Sequence, residues 1–490
     1  MRAGARLQRR PSGGRAAAAA VAGGFALSRV VYALLGVRFD ASPLLYYWQY
    51  VDPQLLRHDL ASSLWHLHSQ PPLFNLMTGL VLKAFGDDYA AGLHAAFLAL
   101  GMALALGLFA LVRRLGVGPW PAAALALLVA ASPPTVLYEN WFYAEYFVAA
   151  ALVLAAVSVD RFAEHGRTRD AVAVFGLLAA VVLSRTFFHL AWIVGLVGLL
   201  LLLQPARRRT ILVAAAVPVT LCVAVYAKNL VQYGTFSATT CSALNASRIT
   251  TFQLDRKRLD ELVREGKISR FSQHEPFSLP SVFPEVFAGE RSRGSALLDR
   301  PRKSTGAPNL DHAAYLHICD RLLDDARASV GAEPSVLYRG IRQGVLVYWR
   351  PAGDYPLFSR RNHDATREVD RAYSIALGQV HRARPAEEGF AIASRLDEVA
   401  WLVVAGYLAL AVLGARALLR ARRDGTLGSP WATTLAFILA NVLYVTIVGS
   451  VFEAGENNRF RFVVDGPAAA ALVALAAAEL RARRAGSPPA

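Results

Sequence analysis

The sequence predicts a mainly α-helical, polytopic membrane protein carrying one extracytoplasmic, mostly helical domain. Three observations carry that reading. Apolar windows of about 20 residues, the length a helix needs to cross hydrocarbon, recur along most of the 490 residues. The composition is 55% hydrophobic and only 18% charged. The basic residues cluster between the apolar runs, at Arg2, Arg6, Arg9, Arg10 and Arg15, at Arg113 and Arg114, at Arg161, Arg167 and Arg169, at 207–209, at 416–423 and at 481–484. Clusters of this kind resist translocation and set orientation. The net charge of +16 therefore reads as topology, and nucleic-acid binding is not expected.

The elements follow in order. After an Arg-rich start, 16–37 is apolar and reads as a retained first span running from the cytoplasm outward. A signal peptide is the competing reading, but Arg29 interrupts the run and no small-residue cleavage site follows. A polar, aromatic loop comes next, FDASPLLYYWQYVDPQLLRHDLASSLWHLHSQPPLFN at 39–75. It concentrates Asp40, Asp52, Asp59, His58, His66 and His68 in one connector. The apolar run 71–85 is short and closed by Lys83 and Asp87, so it is expected to lie in the outer interface.

Spans are then expected at 89–112, 119–137, 141–159, 171–183, 187–203 and 211–227, with three more from 398 onward, at 430–451 and at 462–479. Ten spans result, with both termini inside. The chain thus divides into a transmembrane module at 1–227 with its outer loop at 38–70, an extracytoplasmic domain at 228–397, and a closing transmembrane segment at 398–490. Within the domain, AAYLHICDRLLDDARASV and SVLYRGIRQGVLVYW show helical spacing. Tyr338, Ile341, Val345 and Tyr348 would share one face of the second, resting against the membrane. Three cysteines cannot make a disulfide framework. Cys222 reads as a buried apolar residue, while Cys241 and Cys319 stand as either a single outer disulfide or two thiols.

This topology gathers one set of polar groups on the outer side: Asp40, Asp52 and His68; Glu139, Asn140 and Glu145; Arg185 and His189; Lys228 and Asn229; Glu453, Glu456, Arg459 and Arg461. Ionisable groups inside spans are expensive unless paired or wet. Glu145, Arg185 and His189 are therefore expected to face a polar cavity. No HExxH, CxxC, Walker or GxGxxG pattern is present, so neither a tight metal site nor a cytoplasmic nucleotide site is expected.

An acidic residue just after the first span, the HSQPPL element at 68–73, a second acidic residue in SPPTVLYENWFYAEY and a polar outer domain occur in that order. This order resembles the GT-C glycosyltransferases, and more closely the branch of protein O-mannosyltransferases, aminoarabinose transferases and related bacterial membrane transferases. YAKNLVQYGTFSATT at 226–240, NLDHAAY at 309–315 and GENNRFRF at 455–462 add to the likeness. The resemblance implies inverting transfer of a sugar from a polyprenyl-phosphate carrier to a hydroxyl of a glycan, lipid or protein acceptor, at the outer face of the plasma membrane. Carried over by position, it implies Asp40 as general base with Asp52 as the alternative, and Glu139 holding the acceptor or a divalent metal. His68 would orient the loop or the carrier. Arg185, Lys228, Arg459 and Arg461 are favoured for the phosphate, with Asn229 as a further substrate-binding residue; the last outer loop varies in the family, so Arg459 and Arg461 go beyond the match. A lipid-linked polysaccharide polymerase or ligase is the nearest alternative. A transporter would instead place polar groups at mid-membrane, with paired halves.

Overall fold

The computed structural model of the protein describes residues 13–278, 282–379 and 395–484. The basic residues Arg2, Arg6, Arg9 and Arg10, and part of the domain at 380–394, lie outside them. Among the described residues the chain is almost wholly helical, and the only β pairings are two isolated bridges, Asp40 with Trp141 and Arg302 with Pro308. Seven helical stretches are long and apolar enough to cross a bilayer: Gly14–Leu34, Pro72–Arg114, Ala144–His165, Pro205–Tyr233, Trp401–Arg423, Pro430–Val451 and Asn457–Arg484. The chain is a multi-pass helical membrane protein.

Three departures from the expected span pattern have local causes. The run at 119–137 is two helices, Pro119–Ala130 and Pro133–Glu139, bent by 58°. Pro133 and Pro134 open the second helix and leave Ser132 extended, because a residue before proline is pushed out of the helical region. The helices at Thr168–Val182 and Leu190–Leu203 hold only 15 and 14 residues, shorter than a straight crossing needs. The run at 71–85 forms the helix Pro72–Phe85, which a short 3₁₀ turn joins to Tyr89–Arg114. It packs against the short helices Pro53–His58 and Leu60–His66 of the aromatic loop.

Ala144–His165 is the hub of the bundle. Its alanines at 149, 150, 151, 155 and 156 are buried, and small side chains let neighbouring backbones approach closely. It touches Tyr89–Arg114, Thr168–Val182, Pro430–Val451 and Asn457–Arg484. At its C-terminal end the basic clusters meet. Arg114 pairs with Asp160 and Glu164, and Arg161 with Asp170 at 3.2 Å. Arg207 donates to the Ala163 carbonyl at 2.7 Å, and Arg481 to that of Gly116 at 3.0 Å. Arg114, Arg161, Arg207 and Arg481, one from each of four basic clusters, thus share one end of the bundle.

The domain between Tyr233 and Trp401 caps the other end. Asn362 accepts from the Arg38 backbone N–H at 2.9 Å and donates to its carbonyl at 2.8 Å, pinning the domain to the exit of the first span. The helix Ser335–Tyr348 lies on Pro430–Val451 and Asn457–Arg484. Of the expected face Tyr348 is buried and Ile341 and Val345 are half-buried, but Tyr338 is 71% exposed, and the buried stripe also takes in Val336, Gly340, Gly344 and Val347. The glycines decide this. A Cβ at Gly344 would come within 2.5 Å of the Ser450 carbonyl oxygen, so only glycine permits the close approach.

Candidate active site: an arginine-lined cavity

A cavity of about 980 Å³ lies where the bundle meets the domain. Its walls come chiefly from separated stretches: Tyr46–Gln49 of the aromatic loop, the turn at 185–189, the segments 239–253 and 275–277, the helix Ser335–Tyr348, and the stretch 448–460. Phe187, Val448 and Phe452 give it apolar lining, and Phe452 is 62% exposed. Arg185, Arg248 and Arg459 line it too, each less than a tenth exposed.

Buried guanidinium groups persist only when paired, and each of these is. Arg185 meets Glu145 at 2.9 Å and donates to Gln49 Oε1 at 2.7 Å. Arg459 meets Glu456 at 2.7 Å and Glu145 at 3.6 Å. Arg248 meets Glu453 at 3.1 Å. The Tyr143 hydroxyl accepts from both Arg185, at 3.3 Å, and Arg459, at 2.9 Å, and so bridges the two. Glu145 thus stands behind the arginines, while Glu453 and Glu456 reach the cavity surface. Burial raises the pKa of Glu453, and the neighbouring Arg248 opposes that rise. The result is a wall on which three fixed guanidinium groups stand beside the carboxylates of Glu453 and Glu456, the guanidinium groups offering donors to an anionic group's oxygens.

Of the residues singled out in the sequence, Arg185 and Arg459 line this cavity, as do His189, Glu453 and Glu456. Asp40 stands just outside. Its backbone pairs with the second acidic stretch, donating to the Asn140 carbonyl at 2.8 Å and accepting from Phe142 at 2.9 Å, and its carboxylate caps Ser42. The same carboxylate acts on the cavity-lining Tyr46, whose hydroxyl pKa is raised chiefly by burial.

The other singled-out residues lie elsewhere. Glu139 points into the bundle, held by Arg29 at 2.6 Å and by the Tyr146 hydroxyl at 2.5 Å. Asp52 caps the helix Pro53–His58 and accepts from the Ser304 N–H and hydroxyl. His68, fully buried, bridges Thr240 Oγ1 at 2.7 Å and the Asp311 carbonyl at 3.0 Å. Asn229 donates to the Ser237 carbonyl, and Arg461 is held by Asp465 and by the Tyr348 carbonyl. Lys228 lines a second groove, of about 800 Å³, together with His58, Lys83 and Leu221; its amine is hydrogen-bonded to the Leu67 carbonyl.

Arg248, Tyr143 and the aromatic wall of Tyr47, Trp48 and Phe277 were not singled out as site residues. A hairpin of the domain fixes that wall. The Lys303 ammonium donates to the Tyr47 carbonyl at 2.6 Å, and Thr305 donates to the Leu45 carbonyl at 2.6 Å. Burial lowers the Lys303 pKa to about 8. Among the described residues no three His, Cys, Asp or Glu side chains gather as they would around a metal ion. No family model, curated protein or solved structure matches the chain.

Proposed function

We propose that the protein is an inverting glycosyltransferase that moves a sugar from a polyprenyl-phosphate carrier to a hydroxyl acceptor at the outer face of the plasma membrane. One observation carries the reading. Three buried arginines, supplied by chain segments far apart in sequence, line a cavity whose walls also hold apolar residues, among them the exposed Phe452. A lipid-borne phosphate needs such a place, with fixed cations for its oxygens and apolar lining, such as Phe187 and Phe452, for the first units of its chain. On this reading the bent pair and the two short helices also cross, which brings the seven spans to ten. The basic end then faces the cytoplasm, as charge bias favours, and the domain lies outside.

The chemistry is a single displacement. The acceptor oxygen attacks the anomeric carbon, the bond from that carbon to the phosphate oxygen breaks, and the proton passes to a carboxylate. Arg185, Arg248 and Arg459 take up the charge that develops on the leaving phosphate. Two assignments of the base follow. Asp40 is the residue that the family resemblance implies, and it stands behind Tyr46. Glu453 has its own support, since it lines the cavity and Asp40 does not.

Purified protein supplied with a polyprenyl-phosphate sugar should release polyprenyl phosphate. A requirement for a nucleotide sugar instead would sink the donor assignment. Asp40→Asn and Glu453→Gln, compared at equal expression, separate the two bases: the true one loses about 100-fold or more in turnover, and the other far less.

A further inference from the structure

Cys241 and Cys319 lie in one small core of the domain with Leu244, Leu310, Tyr315 and Ile318. Cys241 lies in the cavity-wall segment 239–253, which also contributes Ser242 and Leu244, and Cys319 sits within the helix Ala314–Ala332. Their thiols are within hydrogen-bonding contact of one another and are not bonded. A third group completes the arrangement. The His68 ring contacts the Cys241 thiol, and the next backbone link, from the Thr240 N–H to the His68 carbonyl at 3.0 Å, holds the two segments in register.

We propose that Cys241 and Cys319 are oxidised to a disulfide that ties the cavity wall to the helix Ala314–Ala332. This rests on the reading that the domain lies outside the cytoplasm, where disulfides persist. Cys319 is 1% exposed and Cys241 7%, so the exchange precedes closure of this core. One thiolate displaces one sulfur of a disulfide-bearing oxidant to give a mixed disulfide. The other thiolate then displaces the second sulfur, and the oxidant leaves as a dithiol carrying the two electrons and two protons. Once formed, the bond makes the position of the wall at 239–246 covalent.

The test uses the full-length protein, extracted with iodoacetamide present and digested without reductant. The expected result is a linked peptide containing Cys241 and Cys319, two hydrogens lighter than the separate peptides, with only Cys222 alkylated. Alkylation of all three cysteines without reductant overturns the proposal. Adding reductant should lower the unfolding temperature by roughly 5–10 °C, and a Cys241→Ser, Cys319→Ser variant should not respond to reductant at all. The placement is checked separately, with Lys257→Cys in a chain whose three native cysteines are serine. Lys257 is exposed on the domain, and labelling of its replacement on intact cells by a membrane-impermeant maleimide supports the outward reading. Absence of labelling overturns that reading, while the peptide mass alone decides the disulfide.

Discussion

Two buried carboxylate and arginine groupings lie close together in this molecule and do different work. Glu139 is enclosed by Arg29 and Tyr146 within the bundle, and none of the three lines either of the two cavities described above. Glu145, six residues on, supports Arg185 and Arg459, and both arginines face the open volume. The chemistry of the pairs is the same. What separates a frame element from a binding element is whether the cation keeps one side toward empty space.

That contrast can be broken in a graded way. The largest expected effect is on stability. Glu139→Gln leaves the Arg29 guanidinium uncompensated, at a cost of about 3–5 kcal/mol, seen as a lowered unfolding temperature in detergent with turnover per folded molecule nearly unchanged. Turnover lost at full stability would place Glu139 in the reaction instead. Next, Arg459→Gln should lower transfer by about 100-fold and weaken retention of a polyprenyl phosphate. Intact transfer would remove the cavity from the site.

Smaller effects belong to the hairpin that holds the aromatic wall. Asp52→Ala removes a helix cap and the Ser304 contacts, and should cost about 1–2 kcal/mol, read from denaturation midpoints. Lys303 provides the weakest effect and a sign. Its folded pKa, about 8, lies below the usual lysine value, so the folded state binds the proton less tightly than the unfolded chain. The resulting penalty is fully present below pH 8 and is relieved as pH rises toward the unfolded value. Stability of the wild type relative to Lys303→Met should therefore increase between about pH 8 and pH 10. A flat difference would refute the shift.

The fold was largely legible in the sequence, because apolar length and clustered arginines are local signals. Arg114, Arg161, Arg207 and Arg481 do meet at one end of the bundle, as their spacing required. The site was legible in part. Arg185 and Arg459 stood out as charges beside apolar runs, and both line the cavity. Arg248 did not, since its partner Glu453 is 205 residues away and nothing in the sequence around it announces the pairing. Glu139 could be marked as an acidic residue needing company, but its direction depends on Arg29, 110 residues earlier. The helix Ser335–Tyr348 was legible only in part, for a different reason. Periodicity weighs large apolar side chains, and here the contact is made by glycines.

The strap from Ser304 to Asp52 spans 252 residues of chain, and this has a consequence for biosynthesis. At roughly 5–20 residues per second, the aromatic loop waits on the order of 10–50 s after leaving the ribosome before the segment that clamps it exists, and Arg459 is made later still. A nascent chain cut short before that point carries most of its spans and no finished pocket, so quality control has to judge this protein at its very end.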